Sequence, residues 1–332
     1  MTPRPDSDGS RTKAAPFVSV ILASRNGADT LAETLAAHAR LTPPEGGVET
    51  ILVDNGSTDR TAEIMRAHAA GCPDVTVLTE TRPGKSCALN AGIEAARGRV
   101  LVFTDDDALP DPDWLVAYVR GVRARPGAGV YAGPVVPLWQ GRAPGWLDRM
   151  AEDGQVAAAT PADLPPGPME PRLVKGPNFA VRAAALGGLR FDEGELNFGA
   201  GGAGGAEDVD LAVRVAALSG AVFVPGARVD HIVQCHEMRL GWLLRRRVRI
   251  WRASAVAEAV RGNPPAPAPR LLRRFVMQGA KGAAAFALMQ PERGVRFWLN
   301  AATAWGMLEG RRALGRRHAR PGPALTIEEK GA

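Results

Sequence analysis

Three consecutive carboxylates, Asp105, Asp106 and Asp107, end the apolar run Val100 to Phe103. Adjacent carboxylates repel one another unless something positive sits among them, and a divalent cation with hard oxygen ligands answers that need. Taken alone, the triplet also reads as a solvated acidic turn. Two other acidic positions stand in comparable places. Asp54 closes the apolar run Glu49-Thr-Ile-Leu-Val-Asp54. There a carboxylate can accept hydrogen bonds from a ligand, or make an Asx turn over Asn55-Gly56. Glu207 and Asp208 precede Leu211, Val215 and Leu218, which are helically spaced. Both acids therefore fall in a first helical turn, where the helix dipole favours negative charge even without a chemical task.

The elements that would position these acids alternate. Phe17 to Ala23 reads as a strand, followed by the turn Ser24-Arg25-Asn26-Gly27. Thr30 with Glu33 three residues on forms a capping box for a helix that ends at Pro43-Pro44. The run ending at Asp54 is a second strand, and Thr58 or Asp59 caps the helix through Ile64 to Ala70. Val75 to Leu78 gives a third strand, about 88–96 a helix, and Val100 to Phe103 the strand that carries the triplet. Strands alternating with helices predict a parallel sheet with right-handed crossovers. In such sheets ligands bind beyond the carboxyl ends of the strands, which is where the acids lie. Residues 134–171 hold eight prolines and little periodicity, and read as a long loop. Trp139 and Trp146 within it read either as sugar-stacking or as packing residues.

The 332 residues suffice for one large α/β domain and an appendage. The net charge of +6 is unevenly spread: 239–320 carries 18 Lys and Arg against 3 Asp and Glu, whereas 1–238 is net acidic. Cys72, Cys87 and Cys235 are widely spaced, against a disulfide framework or a zinc ribbon. The first fifteen residues are polar and lack the apolar stretch of a signal peptide, and no run is long and apolar enough to span a bilayer. The expected location is cytoplasmic. No G-x-G-x-x-G follows the first strand, and Gly84-Lys85-Ser86 is not a phosphate loop, because the required glycine is replaced by Thr79.

Four segments occur in order: Val18-Ser-Val-Ile-Leu-Ala-Ser-Arg-Asn26, Ile51-Leu-Val-Asp-Asn-Gly-Ser-Thr-Asp59, Gly84-Lys-Ser-Cys-Ala-Leu-Asn-Ala-Gly92 and Val102-Phe-Thr-Asp-Asp-Asp-Ala108. Together they resemble the GT-A glycosyltransferases of the inverting family 2 type, over about residues 17–235. The resemblance implies an α/β GT-A fold, Rossmann-like with a mainly parallel sheet flanked by helices, here with a C-terminal helical extension. It implies a tail at 1–15, a transferase domain at 16–238 divided into a nucleotide-binding half (16–133) and an acceptor half (134–238), a basic helical extension at 239–318, and a disordered tail at 319–332.

The implied activity is metal-dependent transfer of a sugar, with inversion, from a nucleotide diphosphate sugar to an acceptor hydroxyl. UDP-sugars are the first expectation, with an acceptor that is a carbohydrate or is lipid-linked, as in cell-surface polysaccharide or glycolipid synthesis. By the same resemblance Ala23, Ser24, Arg25 and Asp54 line the nucleoside pocket, and Asn178 and Glu207 belong to the donor site. Asp105 faces ribose or metal, and Asp107 ligates Mg²⁺ or Mn²⁺ with His231 as a further ligand. Asp106 touches ribose or only solvent, and Lys85 reaches the pyrophosphate or is a surface residue. Asp208, in the Glu-Asp pair, is the general base, and the glycines of 198–205 form a loop that closes over the site. A non-catalytic nucleotide-sugar binder and a metal-dependent nucleotidyltransferase are the alternatives; the second has no need of the Glu207-Asp208 helix start.

From Arg239 onward arginines interleave with Trp, Leu and Ile, and helices are expected near 271–289 and 292–314 beyond the linker 261–270. Basic helices with aromatic residues suit an anionic membrane surface, reached through 239–320 on the inner face of the membrane. An ordinary helical cap with a solvated arginine face fits equally. No recognition motif supports nucleic-acid binding.

Overall fold

The strand β1 (Val18–Ser24) is buried along its whole length, because VSVILAS lies at the centre of a sheet covered on both faces. The computed structural model describes residues 15–194, 196–197 and 205–318. The expected tails at 1–14 and 319–332 and the expected closing loop over 198–204 lie outside them.

Next come α1 (Ala28–His38), β2 (Val48–Asp54), α2 (Thr61–Ala70), β3 (Val75–Thr79), α3 (Lys85–Ala95), β4 (Val100–Thr104), β5 (Ala108–Pro110) and α4 (Trp114–Ala124). The second half adds β6 (Val130–Ala132), β7 (Val135–Trp139), α5 (Gly145–Glu152), β8 (Gly167–Pro168), a 3-10 turn (Pro171–Leu173), β9 (Phe179–Arg182) and α6 (Ala183–Leu186). It continues with α7 (Glu207–Ser219), β10 (Ala221–Phe223) and β11 (Val229–Val233). The C-terminal helices are α8 (Leu240–Val260), α9 (Ala268–Ala287) and α10 (Pro291–His318).

The main sheet has the order β3-β2-β1-β4-β9-β6-β10-β8, with β3, β2, β1 and β4 parallel to one another. It is mixed rather than wholly parallel, since β9 runs antiparallel to both β4 and β6. Phe103 and Phe179, paired across β4 and β9, stack at 4.8 Å and join the two halves. From β1 the chain winds outward through β2 to β3, then returns to β4 on the other flank. The order therefore reverses between β1 and β4, and a crevice opens at their carboxyl ends. A second sheet, β5-β11-β7, closes one side of that crevice.

Two local expectations change. The capping box is not formed: α1 starts at Ala28, and Thr30 is inside the helix. Its free N–H groups are met from the next loop instead, by Asp59 Oδ2 at Ala28 and Thr61 Oγ1 at Gly27. Asp59 Oδ1 also accepts from the Thr61 N–H at the start of α2, as the sequence suggested. The proline-rich 134–171 is not a bare loop, because Leu147, Met150 and Ala151 are helically spaced and bury against Leu243, Val295 and Leu299. His231 lies on β11.

The C-terminal helices pack on this body. A Cβ on Gly306 would come within 2.5 Å of the Val248 carbonyl, so α10 crosses α8 at close range. Ala253 and Ala257 of α8 bury against Leu196 and Ala206, just before α7. Arg296 reaches Asp153 at 2.7 Å and ties α10 to the end of α5.

Candidate active site

The acid triplet is divided three ways. Asp105 Oδ1 accepts from Lys85 Nζ at 2.5 Å, at the first residue of α3. The hydroxyl of Ser24, the last residue of β1, donates to Asp106 Oδ2. Asp107 Oδ2 lies 3.2 Å from His231 Nε2 on β11. Each acid thus turns toward a different element: Asp105 and Asp107 face cationic or basic partners, while Asp106 still feels the charge of its neighbours.

Asp106 packs against the start of α1. A Cβ on Gly27 would sit 2.0 Å from Asp106 Oδ2, so only glycine permits this approach at the start of α1. Burial first, then the neighbouring Asp107, push the Asp106 carboxyl up to about 7 against the Ser24 hydrogen bond. Thr34 Oγ1 also holds its backbone carbonyl at 2.9 Å. Asp106 therefore joins β4 to β1 and α1.

Asp107 and His231 form the second cluster. The imidazole Nδ1 lies 3.0 Å from the carbonyl of Ala157, so an Nδ1–H donates there and Nε2 is aimed at Asp107. Burial opposes the charged forms of both groups, and their mutual attraction outweighs it, raising His231 and lowering Asp107. Asp107 Oδ1 is buried with no hydrogen-bond partner among the described residues. An orphaned carboxylate oxygen beside an oriented imidazole is a donor set that suits a divalent cation. Among the described residues no three His, Cys, Asp or Glu side chains enclose one point. A cation here would take two protein ligands and fill its shell from substrate and water, as cations at phosphoryl sites do.

The third cluster gathers Lys85, Asp105, Glu207 and Asp208. Lys85 Nζ is 4.0 Å from Glu207 Oε1. Burial disfavours its charge, but Asp105 and then Glu207 reverse this and keep the ammonium protonated well above the ordinary lysine range. Lys85 is no surface residue. Glu207 is pushed up to about 7 by burial and then by Asp208, with Lys85 opposing, and its Oε2 is buried without a hydrogen-bond partner among the described residues. Asp208 follows it at the start of α7 and is raised by burial, with Lys85 opposing. Gly176 keeps the gap open: a Cβ there would lie 2.8 Å from Asp208 Oδ2 and 3.7 Å from Asp105 Oδ2.

The remaining expectations divide. Ala23 and Ser24 are buried at the end of β1, where Arg25 is exposed. Asp54 pairs with Ser24 in register, and its Oδ1 accepts from the Ser57 N–H at 3.1 Å. This bond, one residue beyond that of an Asx turn, closes the turn over Asn55-Gly56 and fixes the carboxylate at the strand end. Asn178 does not face the crevice. It is fully buried, and its side chain is spent within the protein. Oδ1 accepts from Trp114 Nε1 at 2.9 Å and from the Tyr118 hydroxyl at 2.6 Å. Nδ2 donates to the carbonyls of Pro134 at 2.9 Å and Ala227 at 2.6 Å. Its expected donor contact is corrected to that of a strut between the two sheets. Trp139 donates to Asp148 at 2.6 Å and packs with Trp146 against α5 and α8, which is the packing reading of both.

Sequence reasoning gave no role to Lys175 or Arg246. Lys175 precedes Gly176, and burial pulls its ammonium down to about 8, with Asp208 opposing. Arg246 of α8 lines the small cavity that contains His231 and Trp242. A run of arginines in the sequence does not tell which of them turns inward.

Comparison with known proteins places this architecture. The pattern described as Glycosyl transferase family 2 matches residues 19–191, just over half of the chain. The glycosyltransferase AglE of Haloferax volcanii is 38% identical over 120 residues, 36% of this chain and 38% of that protein. The undecaprenyl-phosphate 4-deoxy-4-formamido-L-arabinose transferase of Edwardsiella ictaluri is 33% identical over 111 residues, 32% of this chain and 34% of that one. The aligned part is thus little more than a third of either relative. Among solved structures, the mannosyltransferase PcManGT from Pyrobaculum calidifontis, in complex with GDP-Man and Mn²⁺, superposes with a TM-score of 0.56 at 25% identity, over 93% of this chain and 77% of that one. TarS of S. aureus, at a TM-score of 0.50 and 16% identity over 90% and 91%, shares the fold alone. With the GT-A sheet, its crevice at the β1–β4 reversal and this match in hand, the chain belongs to glycosyl transferase family 2.

Proposed function

We propose that the protein is an inverting, divalent-metal-dependent glycosyltransferase that moves a sugar from a nucleotide diphosphate sugar to an acceptor hydroxyl. The observation that carries this is the division of the acids. Asp107 keeps a buried oxygen without a hydrogen-bond partner among the described residues, beside His231, while Asp208 faces the same crevice across Gly176. The nucleoside would lie over Ala23, Ser24, Arg25 and Asp54 at the ends of β1 and β2, in the nucleotide-binding half, 16–133. The acceptor would enter from the side of 134–238.

In this reading the acceptor oxygen forms its bond to the anomeric carbon as the bond to the diphosphate breaks on the opposite face, which inverts the anomeric centre. Asp208 takes the acceptor proton; burial makes it a stronger base than an exposed carboxylate. Glu207 stays beside it as a buried neighbour, and the charge of Asp105 adds to that basicity. Lys85 holds Asp105 in place and offers an ammonium beside the cluster, suited to a phosphoryl or ribose oxygen. Asp107 and His231 would hold Mg²⁺ or Mn²⁺, which when bound stabilises the leaving diphosphate as a Lewis acid.

PcManGT, bound to GDP-Man and Mn²⁺, supports a nucleotide diphosphate sugar and a divalent cation. UDP-sugars are the first donors to test and GDP-sugars the second. The names of the relatives support an acceptor used in glycolipid or polysaccharide synthesis. The test is turnover of UDP-, GDP- and dTDP-sugars with Mg²⁺ or Mn²⁺, with the anomeric configuration of donor and product compared by NMR. Retention of configuration, or full activity in chelator, would refute the mechanism.

A further inference from the structure

The outer face of α9 is unlike any other surface of the molecule. Five of the eight large apolar side chains exposed among the described residues lie on it or at its end: Leu272, Val276, Met277, Leu288 and Met289. Leu288 and Met289 are 69% and 87% exposed. The opposite face is fully used. Leu271 and Ala285 are buried, Phe275 meets Trp305 of α10 at 5.1 Å, and Phe286 meets Trp298 at 4.6 Å. A Cβ on Gly282 would fall 2.1 Å from Trp298, so α9 is pressed onto α10 along its inner side and leaves its outer side bare.

Charge decides what covers that side. Arg270, Arg273, Arg274 and Lys281 accompany the apolar residues, and no Asp or Glu occurs between Glu258 and Glu292. A second copy of the chain seated on this face would bring eight uncompensated cations together. A nucleic acid would answer the charge and leave the leucine, valine and methionine side chains in water. A bilayer surface with anionic headgroups answers both at once, with the apolar side chains at the acyl boundary and the cations at the phosphates. No helix among the described residues is long and apolar enough to cross a membrane, so α9 would lie in the plane of the interface.

We propose that α9 is a membrane-docking helix that seats the protein on an anionic lipid surface through Leu272, Val276, Met277, Leu288 and Met289 and the four flanking cations. This narrows the basic segment 239–320 to one helix face. The remaining helices have other tasks: α8 buries Ala253 and Ala257 against the approach to α7, and α10 joins α8 to α9. Docking through α9 would therefore hold the crevice in a fixed relation to the lipid surface. The proposal does not depend on how the crevice performs its chemistry.

The experiment is sedimentation of the full chain with vesicles of phosphatidylcholine alone and of phosphatidylcholine mixed with phosphatidylglycerol. Wild-type protein should pellet with the mixed vesicles at low salt and be released as salt is raised. Arg273→Glu with Arg274→Glu should weaken binding by more than tenfold, at roughly fivefold for each cation lost. Val276→Ser with Leu288→Ser should abolish binding while leaving thermal unfolding unchanged, since both side chains are exposed. Asp208→Asn should bind vesicles as wild type does, which separates failure of docking from failure of the catalytic reading. Wild-type protein remaining in the supernatant with anionic vesicles at low salt overturns the proposal. So does a dimer, seen by light scattering, that the serine variant dissolves, since the face would then belong to a second copy.

Discussion

Two buried polar sites, Asn178 just before β9 and the acids just after β4, are built on opposite principles. Around Asn178 every hydrogen-bonding group of the side chain is used, by two donors from α4 and two carbonyls from the turns that lead into β7 and β11. In the crevice, Asp107 Oδ1 and Glu207 Oε2 are equally buried and have no partner among the described residues. A satisfied polar group contributes to stability, while an unsatisfied one costs on the order of 1–3 kcal/mol. The protein bears that cost at the crevice and not at Asn178. The difference separates a strut from a ligand site.

The sharpest way to break the comparison is to substitute within each site and ask which property moves. Asp208→Asn removes the proposed base with little change in shape. Sugar transfer should fall by about 10²–10⁴-fold, with thermal stability unchanged or slightly raised because a buried charge is lost. Donor turnover persisting at the wild-type rate would reassign the base. Asp107→Ala should lower kcat/KM by about 10²-fold or more and raise the cation concentration needed for half-maximal rate. An unaltered cation titration would remove Asp107 from the metal site.

Asn178→Ala should do the reverse. It leaves the Trp114 N–H, the Tyr118 hydroxyl and two carbonyls buried without a partner. The expected destabilisation is on the order of 3 kcal/mol, read by denaturant unfolding. The activity of the remaining folded molecules should stay within a fewfold of wild type. Loss of nucleotide affinity without loss of stability would restore Asn178 to the donor site.

Legibility in the sequence follows the same division. The strand runs, the order of the four motifs and the acids at strand ends are local properties, and they gave the GT-A fold and the position of the crevice. What depends on two distant segments was not readable. Asp105, Asp106 and Asp107 are adjacent in sequence, yet their partners Lys85, Ser24 and His231 come from three separate elements. The cap of α1 is supplied by Asp59 on the next loop, so a plausible Thr30–Glu33 box went unused. The antiparallel insertion of β9 rests on pairing across Phe103 and Phe179, which no periodicity reports. In 134–171 the prolines hid a short helix whose apolar spacing is evident only beside α8 and α10.

His38 tests the comparison where it is weakest, because its orphaned atoms lie far from any proposed chemistry. The ring is buried at the end of α1, edge-on to Trp114 at 5.7 Å, and neither ring nitrogen has a hydrogen-bond partner among the described residues. A histidine can escape the charge penalty by staying neutral. Burial first, and then His68, accordingly lower it from 6.5 to about 4. In the unfolded chain His38 regains its ordinary affinity for protons, so between about pH 6.5 and 4 the unfolded state binds more protons and stability falls as pH falls. From pH 7 to pH 5 this group alone should cost about 2 kcal/mol. His38→Leu should lose about that much less stability than wild type over the same interval, measured by urea unfolding at both pH values. An identical loss in the two proteins would mean that His38 finds a partner for its proton, and that a buried nitrogen without a bond is not by itself a sign of unsatisfied polarity in this fold.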